Sequence, residues 1–169
     1  MSSDALWYEA AQVVGITNAL NVAADGLGAA GLAAVEPAAA PAEVRVIYGE
    51  IEAFYGGNGV PSPFRLIARD PGYLADVWGA TRHTFADNRL PRRLKEALAF
   101  AVSLTSRSAF GSAFHLAEMR RLGVSERGVL EVVGVTQMFS SYTKIADTLA
   151  LEPDMGDIAP EDPSPAPGR

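Results

Sequence analysis

Apolar side chains recur every three or four residues along most of this chain, and this spacing limits its fold more than any other feature. One example is the series Val44, Ile47, Ile51 and Phe54. Such spacing places apolar side chains on one face of an α-helix, whereas no stretch shows the two-residue alternation of a half-buried strand. The pattern therefore predicts an all-α fold. Because 49% of the 169 residues are hydrophobic, these helices can bury a sizeable core.

Glycine, proline and capping residues divide this pattern into separate helices. Asp70 followed by Pro71 is typical of an N-cap with proline at the first helical position. Ser125 is a cap of the same kind for the last helix, and Gly123 closes the helix before it. The predicted helices are residues 5–28, 44–54, a short segment around 64–67, 71–85, 91–105, 108–121 and 126–151.

Composition and punctuation predict three regions. Residues 1–39 form an N-terminal helix and linker, residues 40–151 form the helical domain, and residues 152–169 form an acidic, proline-rich tail that we expect to be disordered. The tail holds five acids and one base, so it carries −4 of the formal net charge of −6. The remaining body is nearly neutral and has no evident basic patch, which argues against a nucleic-acid partner.

The chain contains no cysteine, which excludes disulfides, thiolate metal sites and thiol catalysis. The first residues carry Asp4 where a signal peptide has a basic region, and no apolar run reaches the length of a membrane span. We therefore expect a cytoplasmic protein with no membrane partner.

One motif stands out. Glu96 is followed twelve residues later by Ser108, then by Gly111, and four residues after that by His115. This spacing resembles the signature of the alkylhydroperoxidase D (AhpD) and carboxymuconolactone decarboxylase family, in which two cysteines occupy the positions of Ser108 and Gly111. The segments 60–71 and 141–149 resemble the flanks of that signature, so the resemblance covers about residues 40–152.

The resemblance implies an AhpD-like helical domain, here with an extra N-terminal helix, that assembles into trimers or hexamers. The peroxidase branch of the family uses the two cysteines as a dithiol, so we reject thiol peroxidase activity for this chain. The carboxymuconolactone decarboxylase branch lacks the dithiol and acts on small organic acids without a cofactor. The resemblance thus favours cofactor-free decarboxylation or isomerisation of a small organic acid or lactone. The alternative is a catalytically inactive member that binds a metabolite or serves in assembly.

The residues themselves also make a plausible acid–base site. Ser108, Ser112 and His115 share one face of a helix, and a hairpin with the preceding helix brings Glu96 towards the imidazole. A carboxylate there can fix the tautomer of His115 and make it a general base or acid. We therefore expect His115, Glu96 and Ser108 to be the catalytic residues. No ligand spacing indicates a metal site, so we expect neither a metal nor a cofactor.

The predicted substrate contacts are Arg107, Ser112 and Tyr142, since Arg107 lies beside a helix N-terminus that can hold an anion. Each candidate also has a purely structural explanation. His115 can be a hydrogen-bonded core histidine, and Glu96 a first-turn glutamate favoured by the helix dipole. The serines can serve as an N-cap and in packing, and Tyr142 can be a core or interface aromatic.

The N-terminal helix bears on assembly. Its apolar positions spread over much of its surface, so it should be covered on more than one side. Residues 13–18 also resemble residues 132–137 of the last helix. The helix either exchanges with a neighbouring subunit or folds back on its own domain. We expect a homo-oligomer, a trimer or hexamer from the resemblance, with a dimer as the physical fallback.

Overall fold

Residues 4–152 are described by the computed structural model, and within them the chain is all-α, with seven α-helices, one 3₁₀ turn and no strand. The predicted all-α class is confirmed. We expect the tail to be disordered, but its residues from 153 onward lie outside the described part of the chain. The helices are α1 Asp4–Ala29, α2 Ala42–Phe54, α3 Ser62–Ile67, α4 Pro71–Phe85, α5 Arg92–Ser106, α6 Ala109–Arg121 and α7 Glu126–Leu149.

Side-chain caps fix three of the helix starts that the sequence predicts. The carboxylate of Asp70 accepts a hydrogen bond from the backbone N–H of Tyr73, at 3.0 Å. The hydroxyls of Ser108 and Ser125 likewise accept backbone N–H groups at 3.1 Å and 3.2 Å. Each cap satisfies a donor that the first helical turn leaves without a partner, and so the boundaries are set locally.

The main core lies among α2, α3 and α4. Trp78 is its centre, with edge-to-face contacts to Phe54 and Phe64 at centroid distances of 5.5 Å and 5.8 Å. The indole N–H of Trp78 donates to Glu50, at 2.8 Å, so the buried ring keeps a hydrogen-bond partner. This core forms one wall of the cavity described below.

Helix α1 folds back on its own chain, mainly across α5 and also against α3, α4 and α6. Its buried positions Val13, Thr17, Leu20 and Ala24 follow helical spacing and form one face. Trp7 and other large apolar residues of the helix remain exposed, so this fold covers one side of α1. In the single chain α1 packs on its own domain, and exchange of α1 between the subunits of an oligomer stays a prediction.

A buried ion pair fixes the start of α1. The ammonium group of Lys95 is fully buried, donates to the carbonyls of Thr84 and Ala86, and pairs with Glu9 at 2.5 Å. Burial by itself raises the pKa of Glu9, but hydrogen bonds from Lys95 and from the Leu90 backbone outweigh it, and the pKa lies below the ordinary value of 4.5. The carboxylate of Glu9 therefore ties α1 to the turn between α4 and α5.

Helix α7 is the least embedded element. None of its residues is buried, and it packs mainly on α5. A stripe of large apolar side chains, each more than half exposed, runs along its outer side: Val135, Met138, Phe139, Tyr142, Ile145 and Leu149. Within residues 4–152, no helix combines the length and apolar character that crossing a bilayer requires.

We predict that Glu9→Gln lowers the free energy of unfolding by about 3 kcal/mol near neutral pH, because it leaves the buried ammonium of Lys95 uncompensated. The folded-state pKa of Glu9 is depressed, so its contribution is present above pH 4.5 and is lost as pH falls through the lower folded value. The difference between variant and wild type should therefore shrink below pH 4.5. Urea denaturation at several pH values measures this, and Glu43→Gln, at an exposed position, is the control.

We also predict that the stripe on α7 is covered by another copy of the chain, since exposed apolar patches of this kind mark interfaces. Light scattering should give an oligomeric mass for the wild type and a lower mass for Phe139→Glu. Thr148→Glu, exposed on α7 but outside the stripe, should keep the wild-type mass. A monomeric wild type would contradict the prediction.

Candidate active site

His115 and Glu96 meet where helices α5 and α6 form a hairpin. The chain reverses at Arg107, whose φ of 59° is left-handed, and the two helices then pack side by side. Glu96 Oε2 lies 2.8 Å from His115 Nδ1. The prediction that these two side chains lie within hydrogen-bond reach is therefore confirmed.

Both members of the pair are buried. Glu96 is 0% exposed and His115 is 4% exposed. The imidazole stacks on Phe85 with centroids 5.9 Å apart, and Phe114 meets it edge-on at 5.2 Å. Since Nδ1 is engaged by Glu96, Nε2 is the ring nitrogen left for proton exchange.

Arg92 connects the pair to a second buried acid. Its guanidinium lies 3.4 Å from Glu96 and 2.9 Å from Glu118. Arg121 also donates to Glu118, at 2.6 Å and 2.9 Å. This charge cluster, Arg92, Glu96, Glu118 and Arg121, holds two cations and two anions, so it is balanced when His115 is neutral.

Sequence reasoning missed Arg92 and Glu118. A signal for both was present, because Arg92 lies one helical turn before Glu96 and Glu118 lies three residues after His115. That spacing places them on the same helix faces as the predicted pair. Within the described residues, no group of three or more histidine or acidic side chains could hold a metal ion.

The other predicted site residues lie apart from the imidazole or have structural partners. Ser108 is buried and its hydroxyl caps α6, which is the structural role given above as the alternative to a catalytic one. Ser112 is partly buried one turn further along the helix. Arg107 lines a separate cavity of about 460 Å³ between α5 and α7, together with Gln137 and other residues but without the imidazole. Tyr142 is 58% exposed on α7. The structure does not bring Arg107 and Tyr142 together, and it places neither of them with the pair formed by His115 and Glu96.

Asn21 of α1 fills the space beside Gly111. Its amide donates to the hydroxyls of Ser103, at 3.0 Å, and Ser106, at 3.2 Å. A Cβ atom added to Gly111 would lie 2.1 Å from Asn21 Oδ1 and 2.5 Å from Ser103 Oγ, so no larger residue fits there without movement. Sequence reasoning missed Asn21, although a polar residue one helical turn after Thr17 and directly beside Leu20 is a detectable signal of a buried hydrogen bond.

A cavity of about 290 Å³ lies next to the pair. Phe114 is the shared element, because its ring lines this cavity and also touches the imidazole of His115. The walls are mainly aromatic and aliphatic, and they include one acid, Glu118. The lining residues are Tyr55, Val60, Pro61, Phe110, Phe114 and Glu118, with Asn58, Gly59 and Ala117. We call this space the aromatic cavity. His115 and Glu96 do not line it.

Comparison with known proteins finds a similarity to one family over about half of the chain. Residues 71–151 match the model of the carboxymuconolactone decarboxylase family, a span that contains α4 to α7 and both members of the pair. The fold is similar to the crystal structure of the alkylhydroperoxidase AhpD core from Rhodospirillum rubrum ATCC 11170, with a TM-score of 0.63 and 21% identity over 66% of this chain and 83% of that chain. At this identity the likeness shows the fold alone. No curated protein matches the chain.

We predict that Gly111→Ala destabilises the protein by about 2 kcal/mol, because the new methyl group overlaps Asn21 and Ser103. In an Asn21→Ala background the same change should cost at least about 1 kcal/mol less, as expected for residues in contact. Gly79→Ala on α4, where a Cβ meets nothing within 4 Å, is the control and should be neutral or stabilising. Additive effects in urea denaturation would show that Asn21 does not occupy this space.

Proposed function

We propose, from the similarity of residues 71–151 to the carboxymuconolactone decarboxylase family, that this protein is a cofactor-free acid–base enzyme. Its substrate would be a small organic acid or lactone, and the reaction a decarboxylation or an isomerisation. The observation that carries the proposal is the buried contact of 2.8 Å between His115 Nδ1 and Glu96 Oε2. The chain has no cysteine, so the dithiol chemistry of a peroxidase has no place in it.

In the proposed mechanism His115 moves the proton and Glu96 is a positioning residue. The carboxylate of Glu96, held by Arg92, accepts the hydrogen bond of Nδ1–H and thereby leaves the Nε2 lone pair as the base. Nε2 takes a proton from a carbon next to a carbonyl group and returns it to another carbon of the same molecule. One proton moves and no electron is gained or lost, so this isomerisation needs no cofactor.

The aromatic cavity supplies a place for the substrate beside the imidazole. Phe114 lines the cavity and also contacts the imidazole of His115, so the mechanism requires side chains such as Phe114 to move before a ligand reaches Nε2. Tyr55 also lines this space, and burial together with the charge of Glu96 raises the pKa of its phenol. In the proposed mechanism the protonated phenol of Tyr55 would donate to the oxygen on which charge develops.

A second candidate function is metabolite binding or assembly without turnover. This candidate is favoured because the pair of His115 and Glu96 is shielded from ligands: His115 is 4% exposed, and neither residue lines the aromatic cavity. This candidate and the enzyme differ in one respect that can be measured, which is the dependence of turnover on the imidazole.

We predict that the protein isomerises α-angelica lactone, a five-membered β,γ-unsaturated lactone, to its α,β-unsaturated form, followed by ultraviolet absorbance. His115→Gln should lower kcat at least about 100-fold, the usual contribution of a general base. Glu96→Gln should lower kcat with little change in KM, because it misorients the base without touching the substrate. His83→Gln, at the other, exposed histidine, is the matched control and should keep full activity. Turnover that persists in His115→Gln would overturn the acid–base proposal.

A further inference from the structure

We propose that the aromatic cavity is a ligand site selective for neutral, ring-sized compounds, and that it rejects free carboxylates. The inference rests on the proposed function only in placing the ligand beside His115. Binding itself requires neither turnover nor an intact imidazole.

The size and walls of the cavity set the shape of the ligand. Its volume of about 290 Å³ lies at the lower end of the range for small-molecule sites. Phe110 and Phe114 stack at 5.6 Å with their planes 12° apart, and Tyr55 meets Phe114 edge-on at 5.1 Å. These rings form one continuous apolar surface, against which a planar ring of the ligand can lie.

Glu118 sets the polarity of the ligand. It is 5% exposed, it is one of the residues that line the cavity, and its carboxylate accepts hydrogen bonds from Arg92 and Arg121. A carboxylate only accepts hydrogen bonds, so a hydroxyl on a ligand can pair with Glu118, whereas a ligand carboxylate cannot. A neutral ring that carries a hydroxyl would therefore place the hydroxyl towards Glu118 and the ring towards the phenylalanines.

The charge balance of the cluster excludes a free acid. Arg92 and Arg121 are already matched by Glu96 and Glu118, so no guanidinium is left over to neutralise a further anion. A ligand carboxylate in this cavity would lose its hydration and face Glu118, which carries the same charge. Of the two substrate classes proposed above, the cavity thus selects the neutral lactone over the organic acid.

The test compares benzyl alcohol with benzoate, which share a ring and differ in charge, by isothermal titration or ligand-observed NMR. The wild type should bind benzyl alcohol at least about tenfold more tightly than benzoate. Glu118→Gln removes one negative charge and leaves two guanidinium groups facing one carboxylate, so benzoate affinity should rise at least about tenfold. Arg121→Gln, at the partly exposed cation, should weaken benzoate further, and it tests the same balance if Glu118→Gln does not fold.

Two further variants locate the site. Ala117→Trp fills the cavity and should abolish binding of benzyl alcohol, whereas Ala113→Trp, exposed on the same helix but outside the cavity, should leave it unchanged. His115→Gln should keep the binding while it loses turnover, so failure of the catalytic proposal is separable from failure of this one. Equal affinity for the two probes, or binding that survives Ala117→Trp, would overturn the inference.

Discussion

Three charged side chains at the start of α5 lie almost entirely inside the protein, and they take their partners from several other helices. Lys95 and Glu96 are 0% exposed, and the side chain of Arg92 is 11% exposed. A buried charge without a partner costs several kcal/mol, so each one must draw a matching group from elsewhere in the chain. Lys95 takes Glu9 from α1, and Glu96 takes His115 from α6.

Arg92 completes the arrangement, because it reaches two further elements. One of its amino groups donates to the carbonyl of Phe54 at the end of α2, at 2.9 Å, and another to Glu118 on α6. Its guanidinium also lies 3.9 Å from the centroid of the Phe54 ring. The three charges of α5 thus join α1, α2 and α6 in one network, and the candidate site is part of what orders the fold.

Much of this architecture could be predicted from the sequence because its causes are local. Helices follow from apolar spacing and caps, and the proximity of Glu96 and His115 follows from the spacing of one hairpin. The partners of that hairpin could not be predicted, since they depend on long-range packing. Asn21 and Ser103 are 82 positions apart in the sequence. The residues around either one do not identify the other as its hydrogen-bond partner.

The internal similarity between α1 and α7 shows the same limit. Thr17 and Thr136 occupy equivalent places in the two matching stretches. Thr136 donates to the carbonyl of Val132 on the exposed helix, at 2.7 Å, whereas Thr17 is fully buried and its hydroxyl has no partner among the described residues. Similar stretches of sequence therefore lie in different environments, because α1 is packed against α5 and α6 while the outer side of α7 is exposed.

Charge balance also connects the fold to the proposed chemistry. When Nε2 takes a proton from a neutral lactone, the imidazole gains one positive charge and the ligand gains one negative charge. The two charges form side by side in a cluster that was balanced before the reaction, so its total stays at zero throughout. A buried site can hold such a pair without drawing in solvent, because the two new charges neutralise each other. An anionic substrate would enter with its charge uncompensated, and the same burial that favours proton transfer to a neutral ligand would then oppose binding.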